Sequence, residues 1–393
     1  MLVIASAIIT ILSVIVLIPV LTFSLQCLLS LLPFRKNKFA AETPPRLAVL
    51  IPAHNEQSII SGIIEDVSGQ INEGDRMIVI ADNCTDDTAK VSRSLGAEVF
   101  EREDLTERGK SHALRFALEK LAAAPPEVVI VVDADCRITP GTLNHLSTKA
   151  NGLNRPVQGS YIFGGPKDSA TSNLASSFTL WFKNHIRPLG SLRAGMPCQL
   201  TGSGMAFPWD AIGQVNFANK SLAEDTTLGL ELAYAGYEPM FCPEARIDGN
   251  VPKEWGTLVQ QRRRWEQGYL ESILSNAPKM ISRSISTFRP QLLWAAFDLC
   301  IPPLALLGMA WGLMTVAAAV LAQMGGSPIP VQLLVVGALL TGISLFLGWL
   351  FHCRSQVPML ALFAIPWFLL RKIAIYISLL VKREKVWLRT ERD

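Results

Sequence analysis

Leu47-Ala-Val-Leu-Ile-Pro-Ala-His-Asn-Glu56 is the stretch on which the fold turns. Its unbroken apolar run reads as a strand buried on both faces, and its abrupt end in His54, Asn55 and Glu56 reads as that strand's carboxyl edge. Two later stretches repeat the pattern. Arg76-Met-Ile-Val-Ile-Ala81 runs into Asp82-Asn83, and Val128-Val-Ile-Val-Val132 runs into Asp133-Ala-Asp135. Helix-compatible segments near residues 56–68, 86–95 and 110–122 separate them. This alternation predicts right-handed β-α-β units and an α/β fold with a mostly parallel sheet. Ligands in such sheets sit beyond the carboxyl ends of the strands. One polar strand end could be a helix cap or a turn, but three that deliver carboxylates to one edge point to a ligand site. Neither GxGxxG nor GxxxxGK[ST] occurs, so the dinucleotide and P-loop readings lose their main support.

Outside this core the composition changes sharply. Only 18% of the 393 residues are charged, against roughly 25% in soluble proteins. Residues 1–32 carry no Lys, Arg, Asp or Glu, and residues 291–370 carry only Asp298 and Arg354. Leu2 to about Leu25 is long enough to span a bilayer, and it is followed by Arg35, Lys36 and Lys38 with no basic leader before it, which predicts a signal anchor. Residues 292–322 and 331–351 are two further expected spans, the first kinked at Pro302 and Pro303. The positive-inside rule places the central domain in the cytosol. The stretch 357–370, broken by Pro358 and Pro366 and followed by a basic tail, reads as an interfacial helix on membrane lipid. The expected organisation is an anchor at 1–32, a catalytic domain at 45–275 and a C-terminal membrane region at 276–393. A net charge of +3 gives no case for nucleic acid. The seven cysteines are scattered without a CxxC pair and read as reduced thiols.

Asp133 and Asp135, one residue apart just past a buried strand, would converge on one point if the strand continued. Close carboxylates need an intervening cation, and Mg2+ or Mn2+ suits hard oxygen ligands beside phosphates. Glu224-Asp225 precedes a helix-compatible run, Thr226 to Ala235. It reads equally as an acidic first turn or as the site of a general base. In Gln261-Arg-Arg-Arg-Trp265, helical spacing puts Gln261, Arg264 and Trp265 on one face. Such a face could hold a diphosphate and stack on a sugar, or lie on anionic lipid.

Taken in order, Pro52-Ala-His-Asn-Glu56, Asp82-Asn-Cys-Thr-Asp86, Gly109-Lys110, Asp133-Ala-Asp135, Thr201-Gly-Ser-Gly204, Glu224-Asp225 and Gln261-x-x-Arg-Trp265 resemble the membrane-integrated inverting glycosyltransferases of family 2. That group includes cellulose, chitin and hyaluronan synthases and ceramide glucosyltransferase. The resemblance implies a nucleotide-diphospho-sugar transferase (GT-A, Rossmann-like) domain with transmembrane helices at both ends. It implies that Ala53, Glu56 and Asp82 hold uridine and that Lys110 approaches the nucleotide. Asp133 and Asp135 would take diphosphate and metal, with Asp135 the direct ligand. Thr201, Gly202 and Ser203 would line the acceptor site, Asp225 beside Glu224 would be the base, and Gln261, Arg264 and Trp265 would hold donor diphosphate and acceptor sugar. Ala223 stands where the family's acidic motif usually has Thr.

The function so implied is transfer from a UDP-sugar to a glycan or lipid-linked acceptor, with inversion. It would take place at the bacterial inner membrane in envelope glycan synthesis, with export subunits as further partners. The alternatives are a single-addition lipid glycosyltransferase and a non-catalytic nucleotide-sensing membrane protein.

Overall fold

The computed structural model describes residues 2–33, 44–163, 177–217, 221, 223–249, 255–359, 372 and 376, with the backbone alone for 255–262 and 264. The chain divides into two compact units. One comprises residues 34–164, 196–253 and 387–393, and the other comprises 1–33, 165–195 and 254–386. Residues 165–195 group with the apolar helices, and that unit resumes at Glu254.

The first unit is built on an eight-stranded sheet in the order β3-β2-β1-β4-β7-β6-β8-β5. The strands are β1 (Leu47–Ala53), β2 (Arg76–Asp82), β3 (Glu98–Arg102), β4 (Val128–Val131), β5 (Cys136–Ile138), β6 (Val157–Phe163), β7 (Met205–Pro208) and β8 (Met240–Gly249). The three runs read from the sequence are β1, β2 and β4, parallel neighbours with every residue of β4 buried. β3 extends this parallel half, while β7 runs antiparallel to both β4 and β6, so the sheet is mixed. With the N-terminal helix Leu2–Leu29 as α1, the helices α2 (Ile60–Ser68), α3 (Thr88–Ser94) and α4 (Lys110–Leu121) follow β1, β2 and β3, as β-α-β connection requires. Under α4 the core packs Leu114, Ala117 and Leu121 against Leu50, Ile80, Val131 and Phe207.

The parallel register places the polar strand ends side by side, with Asp82 opposite Arg102 across β2 and β3. The Asp133-Ala-Asp135 segment differs from expectation. It is not a continued strand but a tight turn between β4 and β5, closed by the Cys136 N–H donating to the Asp133 carbonyl at 3.1 Å.

Among the described residues, the second unit contains three helices long and apolar enough to cross a membrane, Leu2–Leu29, Leu304–Gln323 and Ile329–Cys353. The expected span 292–322 is split. Pro290–Leu299 forms its own helix, and the next begins only at Leu304. Pro302 and Pro303 lack the N–H groups that a continuous helix would need. Gly337 lets the third helix approach the first, where an added Cβ would meet Leu17 at 2.7 Å. Leu17 and Val20 pack with Leu307 in a small apolar cluster.

A polar knot ties this unit together. Arg187, in a helix (Arg187–Arg193) that follows a π-helical turn at Phe182–Ile186, donates to Asp298 Oδ1 at 2.7 Å and to Gln26 Oε1 at 2.9 Å. Gln26 Nε2 donates to the same Asp298 oxygen at 2.6 Å, and Trp294 donates to Ser191 at 3.0 Å. All these groups except Trp294 are buried. The ionisable residue stranded in the apolar C-terminal region is therefore paired, as burial of a charge demands. The interfacial helix expected at 357–370 falls outside the described residues except for its first three positions.

Candidate active site

The site is assembled at the carboxyl ends of β1, β2 and β4, with two loops folded over it. At β1, the Ala53 carbonyl accepts from Cys84, and the backbone N–H of Glu56 donates to Thr88 Oγ1 at 2.8 Å. His54 Nδ1 lies 2.6 Å from the Asp82 carbonyl, which joins the ends of β1 and β2. Asn55 and Asn83 adopt left-handed backbone conformations, which Asn tolerates better than most side chains. Asn55 spans to Thr85 through a reciprocal pair of hydrogen bonds at 2.7 and 2.9 Å. Asp82 is buried and paired with Arg102 at 2.7 Å.

Lys110 is the centre of the arrangement. It opens α4 immediately after Gly109, whose φ of +116° suits glycine far better than other residues. Its ammonium donates to Asp133 Oδ1 at 2.5 Å and to the Gly202 carbonyl. Burial acts to lower the lysine's proton affinity. The charges of Asp133 and then Asp225 outweigh that, so Lys110 is held above its usual range and fully protonated. One cation is thus shared by three segments distant in sequence.

The loop Thr201–Gly204 is positioned from beneath by Gln158 of β6. Its Oε1 accepts from the Thr201 N–H at 2.8 Å, and its Nε2 donates to the Ser203 carbonyl at 2.9 Å. Ser203 Oγ in turn accepts from the Asp133 N–H at 3.1 Å, tying the loop to the acidic turn. Thr201 Oγ1 is buried with no hydrogen-bond partner among the described residues. Gly202 has φ +96°, and a Cβ added to it would lie 2.7 Å from Asp225 Oδ2. The loop backbone therefore packs directly against the Asp225 carboxylate.

Glu224 and Asp225 occupy the first turn of the helix Glu224–Ala235, and their environments diverge. Glu224 accepts from the Ser111 N–H at 3.2 Å and so satisfies the start of α4. Burial, then the neighbouring Asp225, raise its proton affinity, against the opposing pull of Ser111 and Lys110. Glu224 is thereby committed to holding two helices together, while Asp225 faces Gly202 and acts electrostatically on Lys110.

Carboxylate oxygens of Asp133 and Asp135 and the sulfur of Cys136 all lie within 4.8 Å of one another. The two carboxylates supply hard oxygen donors of the kind Mg2+ and Mn2+ prefer. Cys136 fits such an ion poorly. Its thiol accepts from Ser203 and lies 3.7 Å from the Tyr161 hydroxyl, and burial followed by the charges of Asp133 and Asp135 holds it protonated. All seven cysteines are free thiols, as the sequence predicts.

The structure brings together Ala53, Glu56, Asp82, Lys110, Asp133, Asp135, Thr201, Gly202, Ser203, Glu224 and Asp225 within one compact unit. Gln261, Arg264 and Trp265 belong to the other unit, on the helix Trp255–Thr287. Trp265 is exposed, and the side chains of Gln261 and Arg264 lie outside the described residues. Two residues of the first unit carried no sequence signal. Gln158 looks like any polar residue within a strand, and Arg102 becomes visible only through β2–β3 register.

A mixed sheet with a metal-compatible acidic turn and a loop at its carboxyl edge is the arrangement of the GT-A fold. A mannosyltransferase from Pyrobaculum calidifontis, solved in complex with GDP-Man and Mn2+, superposes with a TM-score of 0.61 over 97% of this chain and 100% of its own, at 20% identity. The sequence places the chain within that class. Residues 128–375 match the model of glycosyl transferase family group 2 and residues 48–200 that of glycosyl transferase family 2, and the protein belongs to this family.

Among curated relatives, a probable glycosyltransferase, YdaM, of Bacillus subtilis is 26% identical over 57% of this chain and 55% of its own length. A 4,4'-diaponeurosporenoate glycosyltransferase of Staphylococcus aureus is 33% identical over 30% of this chain and 32% of its own. A poly-beta-1,6-N-acetyl-D-glucosamine synthase of the same species is 25% identical over 58% and 55%. The chain spans about half the length of the curated relatives it matches, or less.

Proposed function

We propose that the protein transfers a hexose or N-acetylhexosamine from a UDP-sugar to a glycan or glycolipid acceptor, with inversion, at the cytosolic face of a bacterial inner membrane. The observation that carries this reading is the placement of Lys110. One buried ammonium holds Asp133 of the acidic turn and the Gly202 carbonyl of the loop, and it interacts with Asp225. A donor diphosphate and an acceptor hydroxyl would be brought together at this point.

Asp225 is the base. It is a carboxylate packed against the Gly202 backbone of the loop, and it takes the acceptor hydroxyl's proton as the oxygen attacks the anomeric carbon and the diphosphate leaves. Glu224 positions Asp225 and the start of α4 and does not itself react. Ala53, Glu56 and Asp82 form the nucleoside end of the site. Asp133 is engaged by Lys110, so direct coordination of Mg2+ or Mn2+ falls to Asp135. Such an ion, when bound, supplies electrostatic stabilisation of the charge that builds on the departing diphosphate. Lys110 adds a fixed cation close to that charge.

The synthase relative supports glycan assembly. The relative named for 4,4'-diaponeurosporenoate supports a second reading, single addition to a lipid-like acceptor. Radiolabelled UDP-sugars incubated with membranes containing the protein, followed by sizing of the product, separate the two. A ladder indicates chain extension, one discrete product indicates single addition, and absence of label transfer from every UDP-sugar refutes both.

A further inference from the structure

The nucleotide a GT-A site accepts is not set by its fold, since a protein of this architecture is solved in complex with GDP-Man. In this protein the choice falls to the surroundings of Asp82, on the reading proposed above that Asp82 contacts the donor base. Asp82 is the last residue of β2, and Arg102, the last of β3, is its partner in the parallel register. Arg102 Nη1 donates to Asp82 Oδ1 at 2.7 Å, and its Nη2 reaches Asp104 at 3.1 Å. Asn83 Nδ2 donates to the same Oδ1 at 3.1 Å.

Asn83 is itself held on both sides. Its Oδ1 accepts from the Asp104 N–H at 2.8 Å, its Nδ2 also donates to the Asp104 carbonyl, and its backbone N–H donates to the Arg102 carbonyl at 2.7 Å. Neither donor to Oδ1 can rotate away without breaking other bonds. The planar guanidinium makes the clamp more rigid than an ammonium would.

The two oxygens of Asp82 are therefore unequal. A carboxylate oxygen has about two lone-pair sites, and both sites on Oδ1 are filled from within the protein. Oδ2 has no protein donor among the described residues, and it is not among the buried atoms lacking a partner, so it remains reachable. With the Asp82 side chain only 10% exposed, approach is confined to that one atom.

We propose that Arg102, assisted by Asn83, is a positioning residue that selects the donor's base. By saturating Oδ1 it leaves Asp82 a single acceptor, which matches the lone imide N–H of uracil. Guanine presents two adjacent donors, N1–H and the exocyclic amine, which pair with both oxygens of one carboxylate. Here the second would meet an oxygen already occupied and lose its water without gaining a partner.

The test measures binding to the full-length protein in detergent with Mn2+ by calorimetry, using UDP, N3-methyl-UDP and GDP. Wild type is expected to bind UDP roughly tenfold or more tightly than GDP and than N3-methyl-UDP, as one charge-assisted hydrogen bond allows. In Asp82→Ala the three nucleotides should bind alike. Arg102→Met should compress the UDP-to-GDP ratio by roughly tenfold, whereas Arg102→Lys, which keeps a cationic donor, should retain most of it. A purely structural role for Arg102 would weaken both nucleotides together and leave the ratio intact, and that result overturns the inference. So does wild type that binds GDP as tightly as UDP, a comparison that needs no variant to fold. If N3-methylation and Asp82→Ala both leave UDP affinity unchanged, the base-contact reading of Asp82 fails instead.

Discussion

Gly202→Ala probes the juxtaposition of loop and carboxylate on which the proposed chemistry depends. The substitution acts twice. Alanine at φ +96° is held outside its preferred backbone regions, at a cost of about 1–2 kcal/mol. Its Cβ would lie 2.7 Å from Asp225 Oδ2, and ordinary contact begins near 3.4 Å, so the carboxylate or the loop must give way by about 0.7 Å. Displacement of a catalytic group by an ångström can cost about 10²-fold in rate. Transfer should accordingly fall by roughly 10- to 100-fold, while nucleotide binding, proposed above to rest on Ala53, Glu56 and Asp82, stays near wild type. Steady-state transfer from the UDP-sugar identified by screening, measured beside UDP calorimetry and thermal unfolding, separates these effects. A variant that folds, binds UDP and turns over at the wild-type rate would refute the claim that Asp225 acts from its position against Gly202.

Other outcomes follow from the same geometry. Lys110→Met removes the cation shared by Asp133 and the Gly202 carbonyl, and kcat/KM should drop by roughly 10²-fold or more; Lys110→Arg should recover part of it in the same assay. Chelation of divalent cations should abolish transfer, and Mn2+ or Mg2+ should restore it, since Asp133 and Asp135 offer oxygen donors. In the other unit, Arg187→Met leaves Asp298 and Gln26 without their cationic partner and should destabilise the detergent-solubilised protein by roughly 3–5 kcal/mol. Replacing Arg187 and Asp298 together by apolar residues of similar volume should cost markedly less, as read by the unfolding midpoint.

The sequence made some parts of this molecule legible and hid others, for physical reasons. β1, β2 and β4 could be read directly because strands buried on both faces must be apolar throughout, and their polar ends then stand out. β7 and β8 could not, because their pairings are long-range and Met205–Pro208 is too short to show a period. The acidic turn was found for a partly mistaken reason. Asp133 and Asp135 converge through a tight turn instead of strand alternation. Arg187 was overlooked because a lone arginine between Ile186 and Pro188 carries no signal of its own. Its role exists only where three distant segments meet around Asp298 and Gln26. From spacing alone Glu224-Asp225 reads equally as an acidic first turn or as the site of a base, and only the family resemblance singles out Asp225. Burial and the Ser111 N–H distinguish them, committing Glu224 to helix packing and leaving Asp225 against the loop.

The proposed chemistry requires that this site move a sugar and that Asp225 take the acceptor's proton. Asp225→Asn keeps the shape of the side chain and removes its basicity, so the decisive measurement is single-turnover transfer by this variant under saturating UDP-sugar and metal. Transfer should disappear while UDP affinity stays close to wild type. Transfer persisting at a rate comparable to wild type would contradict it.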